Sequence, residues 1–519
     1  MLIVNTTQAE FCWAQDKVDA DVLLTGGLLY VGDGQIPIHG DVAIRGDRIV
    51  AVGEFDTGQV LQSIDCSKLM ISPGFIDLHN HSDDEVLEND TRAVMNYLTQ
   101  GCTTIVTGNC GSGPVDAGSY LKKVDELGAG VNVAHLIPQG SLREQVMGTE
   151  QRVASDEELA SMRQLAEEAM LAGTWGMSSG LIYVPSSYAD ESELAAIAEI
   201  VGKHGGIYAS HIRGEGTGLL DSVAEAISIG RRAKLPVHIS HFKSSGKDSW
   251  GLVRIAAAEI DRARAAGATI TADQYPYTAS STSLAATVIP PWARAGGDKK
   301  MLARFDDPVD GPKIRAAVLD KLELTDDGGR IQIAQYQPNP QWVGLRVLSI
   351  AQQENAKPID IVLQILREGG AQIVNHSINE EDVRYVMQRP WVATASDGSS
   401  KIPSSTVPHP RSYGTFPRKI GHYAIGEETV SLEHAVRSSS GLPADILGLS
   451  DRGYLRVGYA ADIAVWDPET IIDTATFEQP HRYSRGMKYV FVNGVPAIVD
   501  GAATGALAGR ALRHSSPKL

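Results

Sequence analysis

The run PGFIDLHNHSD places His79 and His81 at the end of an apolar stretch, and two imidazoles at that spacing can share a metal ion. Residues two apart on a strand point the same way, so both rings face one side. At the C-terminal end of a barrel strand that side is the mouth. Taken alone, an HxH pair is better explained by two hydrogen-bonded histidines. Three further groups change the reading: YASHIR places His211, PVHISH places His241 and VATASDG places Asp397, each just after a short apolar or small-residue run. In TTIVTGNCG, Cys110 stands in a Gly-flanked turn after another such run. A thiolate with two imidazoles is a natural zinc shell, with one position left for water or substrate.

Such a site lowers the pKa of water and polarises a carbonyl, while a nearby carboxylate takes the water's proton and returns it to a leaving amine. Asp397 is the acid read in that role, because it ends a strand without lying on the HxH motif. Asp77 shares the parity of His79 and is read as orienting its strand; Asp83 and Asp84 are read as solvated turn residues. His238, three before His241, is read as packed on the opposite face, and His135 and His376 have no support as ligands.

These residues need a frame that brings strand ends together. Apolar strand-like runs alternate with amphipathic helical stretches from FIDLHNH onward, which predicts βαβ units and a parallel sheet. The strand candidates are FIDLHNH, TTIVTGNC, VNVAHLI, TWGMSSGL, GIYASHIR, PVHISHF, TITADQYP, QIVNHS and VATASDG, one more than a closed eight-stranded barrel needs. QIVNHS is the surplus run, assigned to an insertion. Helices such as DEELASMRQLAEEAMLAG carry apolar residues every three or four positions, a packing face. Short strands with Gly/Asp turns at both chain ends predict one small β-domain made from the two termini.

The chain has 519 residues and a formal charge of -17, which opposes binding to nucleic acid or anionic lipid. No run of about 18 apolar residues suggests a membrane span, and the first segment lacks a secretory pattern, so a cytoplasmic location is expected. Cys12, Cys66 and Cys102 are too few and scattered for a disulfide framework and are read as reduced thiols.

The motifs GNCG, GLIYVPSSYA, SHIRGEG, HISHFKSSG, DQYPYTASST and SDG followed by HPRSYGTFPR resemble those of the D-aminoacylase (N-acyl-D-amino-acid deacylase) family of the amidohydrolase superfamily, from about residue 21 to 512. The resemblance implies a (β/α)₈ barrel with a small β-sandwich, and hydrolysis of a small N-acyl-D-amino acid. It also implies a tight zinc on Cys110, His211 and His241, and a second, weaker divalent metal on His79, His81 and Asp397 with Cys110 bridging. TWGMSSG lacks the lysine that bridges metals in many superfamily members, so Cys110 takes that place. Lys243, Tyr275, Ser281 and Arg411 match residues that grip the substrate carboxylate, and Tyr183 one beside the scissile amide. Ser186, and a longer loop between Asp397 and Arg411, depart from the family pattern at the pocket's edge.

The expected organisation is an extension over 1–20, sandwich over 21–70 and 458–519, barrel over 71–282 and 342–457, and an inserted lid over 283–341. A cyclic-amide hydrolase of the hydantoinase or dihydroorotase type is the alternative on the same frame, with a non-catalytic scaffold behind it. Stereochemistry, acyl group and oligomeric state are not encoded in any local motif.

Overall fold

The computed structural model describes residues 17–515. Cys12 and residues 1–16 of the expected N-terminal extension lie outside the described residues.

Eight parallel strands form the central barrel: Phe75–Asp77, Cys102–Thr107, Asn132–His135, Gly176–Gly180, Ile207–His211, Val237–Ile239, Ile270–Gln274 and Val392–Thr394. The third continues as Ile137–Pro138, which pairs with the fourth. Every consecutive ladder is parallel. The ring closes where Asn80 bridges Gly398, with Asp397 N donating to His79 O at 2.8 Å and His81 N to Gly398 O at 2.8 Å. Closure therefore happens between the two strand ends that carry the HxH motif and Asp397.

The outer helices follow from their sequences. Asp156–Ala172 opens on a capping box between Ser155 and Glu158, carries three acids in its first turn, and stops at Gly173, whose φ of 107° suits glycine. Its buried stripe, Met162, Ala166, Ala169 and Met170, has helical spacing and packs in the same apolar cluster as Val223, Ala226 and Ile229 of Leu219–Ala233.

Both chain ends build one nine-stranded sheet, joined where Met70–Pro73 pairs antiparallel with Ile463–Trp466. Leu24, Val42, Ile44, Ile71, Ile463, Val465 and Phe491 fill its core.

QIVNHS is outside the barrel, as its surplus suggested. Gln372–Asn375 lies between Ser280–Ser283 and Ile331–Gln335, antiparallel to both. Residues between these strands form a lobe with its own core, from Leu284 through Ile314 and Trp342 to Ile373. That core runs on past Gln341, because the helices Val347–Gln353 and Pro358–Arg367 bury their apolar faces in it. Among the described residues, no helix is long and apolar enough to cross a membrane.

Candidate active site

The strand ends converge as their spacing implied. The ligand atoms of His79, His81, Cys110 and Asp397 lie within 4.8 Å of one another, and so do those of Cys110, His211 and His241. Cys110 belongs to both groups: its Sγ is 3.2 Å from His79 Nε2, 3.5 Å from His211 Nδ1 and 3.8 Å from His241 Nε2. Asp397 Oδ1 lies 3.1 Å from His81 Nε2 and 3.5 Å from His79 Nε2. Cys110, His241 and Asp397 have φ of 52°, 36° and 50°, a left-handed conformation costly for residues with a Cβ. Strain at three convergent side chains is characteristic of a functional site.

A second layer of carboxylates orients the rings. Glu215 Oε1 lies 2.8 Å from His241 Nδ1 and accepts from Lys243 Nζ at 2.5 Å. Glu215 and Lys243, whose Nζ is 2.9 Å from the same Nδ1, fix the His241 ring so that Nε2 faces Cys110. Asp273 Oδ1 accepts from His241 N at 2.7 Å, and Oδ2 lies 3.3 Å from His79 Nδ1 and 2.8 Å from His238 Nε2. Burial alone would raise both carboxyls; Lys243, His241 and His211 outweigh it at Glu215, and His79 and His238 do so at Asp273, so both stay ionised.

Glu215 and Asp273 are the residues that reading the sequence missed. Asp273 ends the seventh barrel strand just as the ligands end theirs, a signal present in TITADQ. Glu215 follows His211 in SHIRGEG but meets His241 only through the fold. His238 is a correction: the backbone turns at His241, strand alternation fails there, and His238 reaches the site through Asp273. Asp83 is another. Its carboxylate is largely buried, accepts from Gly108 N at 2.7 Å and so fixes the turn presenting Cys110; burial raises its pKa to about 7. Asp77 does bind its strand to the eighth, accepting from Ser396 N at 2.8 Å. His135 and His376 bond away from the cluster, to Thr107 and Gln332.

A cavity of about 540 Å³ opens over the cluster, lined by His81, Cys110, Tyr183, Ser281, Asp397 and Arg411 among others. Arg411 Nη1 lies 2.7 Å from Asp397 Oδ2, and its guanidinium stacks 4.8 Å from the Tyr275 ring. Burial would raise the Asp397 carboxyl, but Arg411, then His241 and His79, hold it well below the usual carboxylate range. Tyr275 OH is buried without a hydrogen-bond partner, and its ring packs against the guanidinium that Asp397 holds. An orphaned hydroxyl and a guanidinium in contact suit an incoming anion. Tyr183 OH shares a 3.1 Å hydrogen bond with Thr282 Oγ1, and its ring meets His211 edge-on. Lys243 is 6% exposed and sits behind the main cavity, 5.6 Å from the Tyr275 ring centre. Ser186 lines the cavity and bonds to Gln139.

The donor set fits a divalent metal. His211 and His241 turn nitrogens 2.9 Å apart toward Cys110. Burial, reinforced by His241, keeps the His211 ring neutral, so its nitrogen has a lone pair to give. Burial and then the Asp397, Glu215 and Asp273 carboxylates push the Cys110 thiol well up, an unfavourable field that a bound cation reverses.

Comparison with known proteins gives the same picture. A model of the amidohydrolase family matches residues 62–498. A D-aminoacylase of Alcaligenes xylosoxydans xylosoxydans is 35% identical over 96% of this chain and 99% of its own length. An N-acyl-D-glutamate deacylase of the same organism is 31% identical over 97% and 98%. The solved structure of an N-acyl-D-glutamate deacylase from Bordetella bronchiseptica, complexed with zinc and a phosphonate mimic of the tetrahedral intermediate, superposes with a TM-score of 0.82 at 28% identity, covering 96% and 100% of the two chains. With strand-end histidines that share Cys110 between two candidate metal groups and near full-length matches, the chain belongs to the amidohydrolase family, in its D-aminoacylase branch.

Proposed function

We propose that this protein hydrolyses the amide bond of N-acyl-D-amino acids, releasing a carboxylic acid and a D-amino acid. The observation that carries the reading is a metal-competent cluster sharing one cavity with Arg411, whose guanidinium packs against Tyr275 with its orphaned hydroxyl. The zinc in the related deacylase supports zinc here. Cys110, His211 and His241 would hold the tight ion, and His79, His81 and Asp397, with Cys110 shared, would hold a weaker second one. When bound, zinc polarises the acyl carbonyl and lowers the pKa of water.

The chain's own groups do the rest. Arg411 and Tyr275, with Ser281 and Lys243, fix the substrate carboxylate and so place the amide over the cluster. Tyr183 stands at the amide and donates to the carbonyl oxygen as charge develops there. Asp397 takes the proton of the attacking water at Oδ1, since Oδ2 is held by Arg411. Water oxygen joins the acyl carbon, the C–N bond breaks, and Asp397 returns the proton to the amine nitrogen.

Amine release from paired N-acetyl-D- and N-acetyl-L-amino acids tests the reading. Turnover of the D series alone is expected; turnover of the L series contradicts the D preference, and turnover of a cyclic amide with neither moves the cyclic-amide alternative ahead.

A further inference from the structure

Relatives that deacylate different D-amino acids match this chain at similar identity, so family membership leaves the side chain open. The cavity wall addresses it. On the side of the inserted lobe the cavity is lined by the uncharged Ser283, Ala334, Gln335 and Gln372, while, apart from the cluster and Arg411, its charged residues Glu144 and Lys401 come from the helix Gln139–Met147 and the loop after the eighth strand. Ser283, Gln335 and Gln372 also line a second cavity of about 530 Å³ in the inserted lobe, so the two spaces adjoin at these residues. Their placement is fixed by the three-stranded sheet, where Gln372 is the register partner of Ser283 on one side and of Gln335 on the other.

Ser281 and Ser283 are two apart on one strand and face the same way. A substrate α-carbon whose carboxylate is held at Ser281 and Arg411, and whose amide reaches the cluster, has one large substituent left. That substituent is the side chain, and the next residue facing the same way as Ser281 on this strand is Ser283, the register partner of Gln372. Among the described residues neither carboxamide has a hydrogen-bond partner, and both are exposed to the cavity. Each offers a donor and an acceptor. Of the cations that line the cavity, Arg411 is paired with Asp397, and Lys401 belongs to the loop after the eighth strand rather than to the three-stranded sheet.

Resting on the deacylase reading above, we propose that Gln335 and Gln372 are the specificity pair for the substrate side chain, and that the preferred substrate is an N-acyl-D-amino acid with a long, uncharged, hydrogen-bonding side chain of the carboxamide class.

The test is kcat/KM for N-acetyl-D-glutamine, N-acetyl-D-glutamate and N-acetyl-D-leucine, side chains of similar size that differ in polarity and charge. Wild type, Gln335→Leu, Gln372→Leu and the double variant are compared, with thermal melts to check folding. Glutamine is expected to lead both others by about tenfold or more, the worth of one or two net hydrogen bonds. The double variant is expected to erase or reverse the glutamine-to-leucine ratio. Glutamate or leucine equalling glutamine in wild type overturns the proposal, as does a ratio unmoved by both substitutions. Failure on all three D substrates, with turnover of a cyclic amide, removes the deacylase reading instead.

Discussion

Arg411 Nη1 lies 2.7 Å from Asp397 Oδ2, so the guanidinium beside the orphaned Tyr275 hydroxyl also grips the carboxylate of the metal cluster. If Arg411 binds the substrate carboxylate and Asp397 carries the proton, this ion pair couples the two tasks through one side chain. Arg411→Ala is expected to raise KM by about two orders of magnitude, the cost of opening a buried charge pair, and to lower kcat through misplacement of Asp397. Arg411→Lys should not restore either, since an ammonium lacks the planar fork. Steady-state kinetics on an N-acetyl-D-amino acid and its uncharged amide analogue check this. Only the acid should lose in proportion; equal losses on both would show that the residue is not reading a carboxylate.

Asp397→Asn keeps the shape of the side chain while removing its proton affinity. Turnover is expected to fall about 10²-fold or more, with the metal on Cys110, His211 and His241 retained. Parallel metal analysis and kinetics decide; near-normal turnover removes Asp397 as the base.

Glu215 Oε1 lies 2.8 Å from Nδ1 of His241, so an effect of Glu215 on metal binding is expected to act through that ring. Glu215→Gln is expected to weaken zinc affinity about 10- to 100-fold in a chelator competition. An unchanged affinity would reduce Glu215 to a counter-ion for Lys243.

Away from the site, Lys419 is 3% exposed and, among the described residues, its side-chain nitrogen hydrogen-bonds only to Met387 O, at 3.4 Å. Burial lowers its pKa from 10.5 to about 7. A lysine depressed in the folded state costs stability fully below the folded value; the cost shrinks as pH rises from about 7 and is gone above 10.5. Lys419→Met is therefore expected to stabilise the protein by a few kcal/mol at neutral pH and below, with the gain fading toward pH 10. Denaturant midpoints across that range measure it, and a gain independent of pH would contradict it.

The site was legible where function lies at strand ends. His79, His81, His211, His241 and Asp397 each close a short apolar run, and the surplus of QIVNHS over an eight-stranded ring marked it as insertion. Cys110 was legible from its turn. The orienting shell was not: Glu215 meets His241, and Asp273 joins His79 to His238, only after neighbouring strands fall into register. His238 misled because alternation assumes an unbroken strand, whereas Val237–Ile239 ends before His241 adopts positive φ. Asp83 misled because a turn carboxylate is ordinarily solvated, and here the Cys110 turn covers it.

The central claim, that the Cys110–His211–His241 cluster carries a metal required to deacylate N-acyl-D-amino acids, is tested most directly by stripping and reloading. Amine release from a preferred N-acetyl-D-amino acid is measured on purified protein, on protein stripped with chelator, and on stripped protein titrated with zinc, beside Cys110→Ala treated in the same way. Activity is expected to vanish on stripping and to return as about one zinc per chain is restored, whereas Cys110→Ala stays inactive and fails to retain the metal. Full activity in the stripped protein, or a Cys110→Ala variant that binds zinc tightly and turns over normally, would contradict the account.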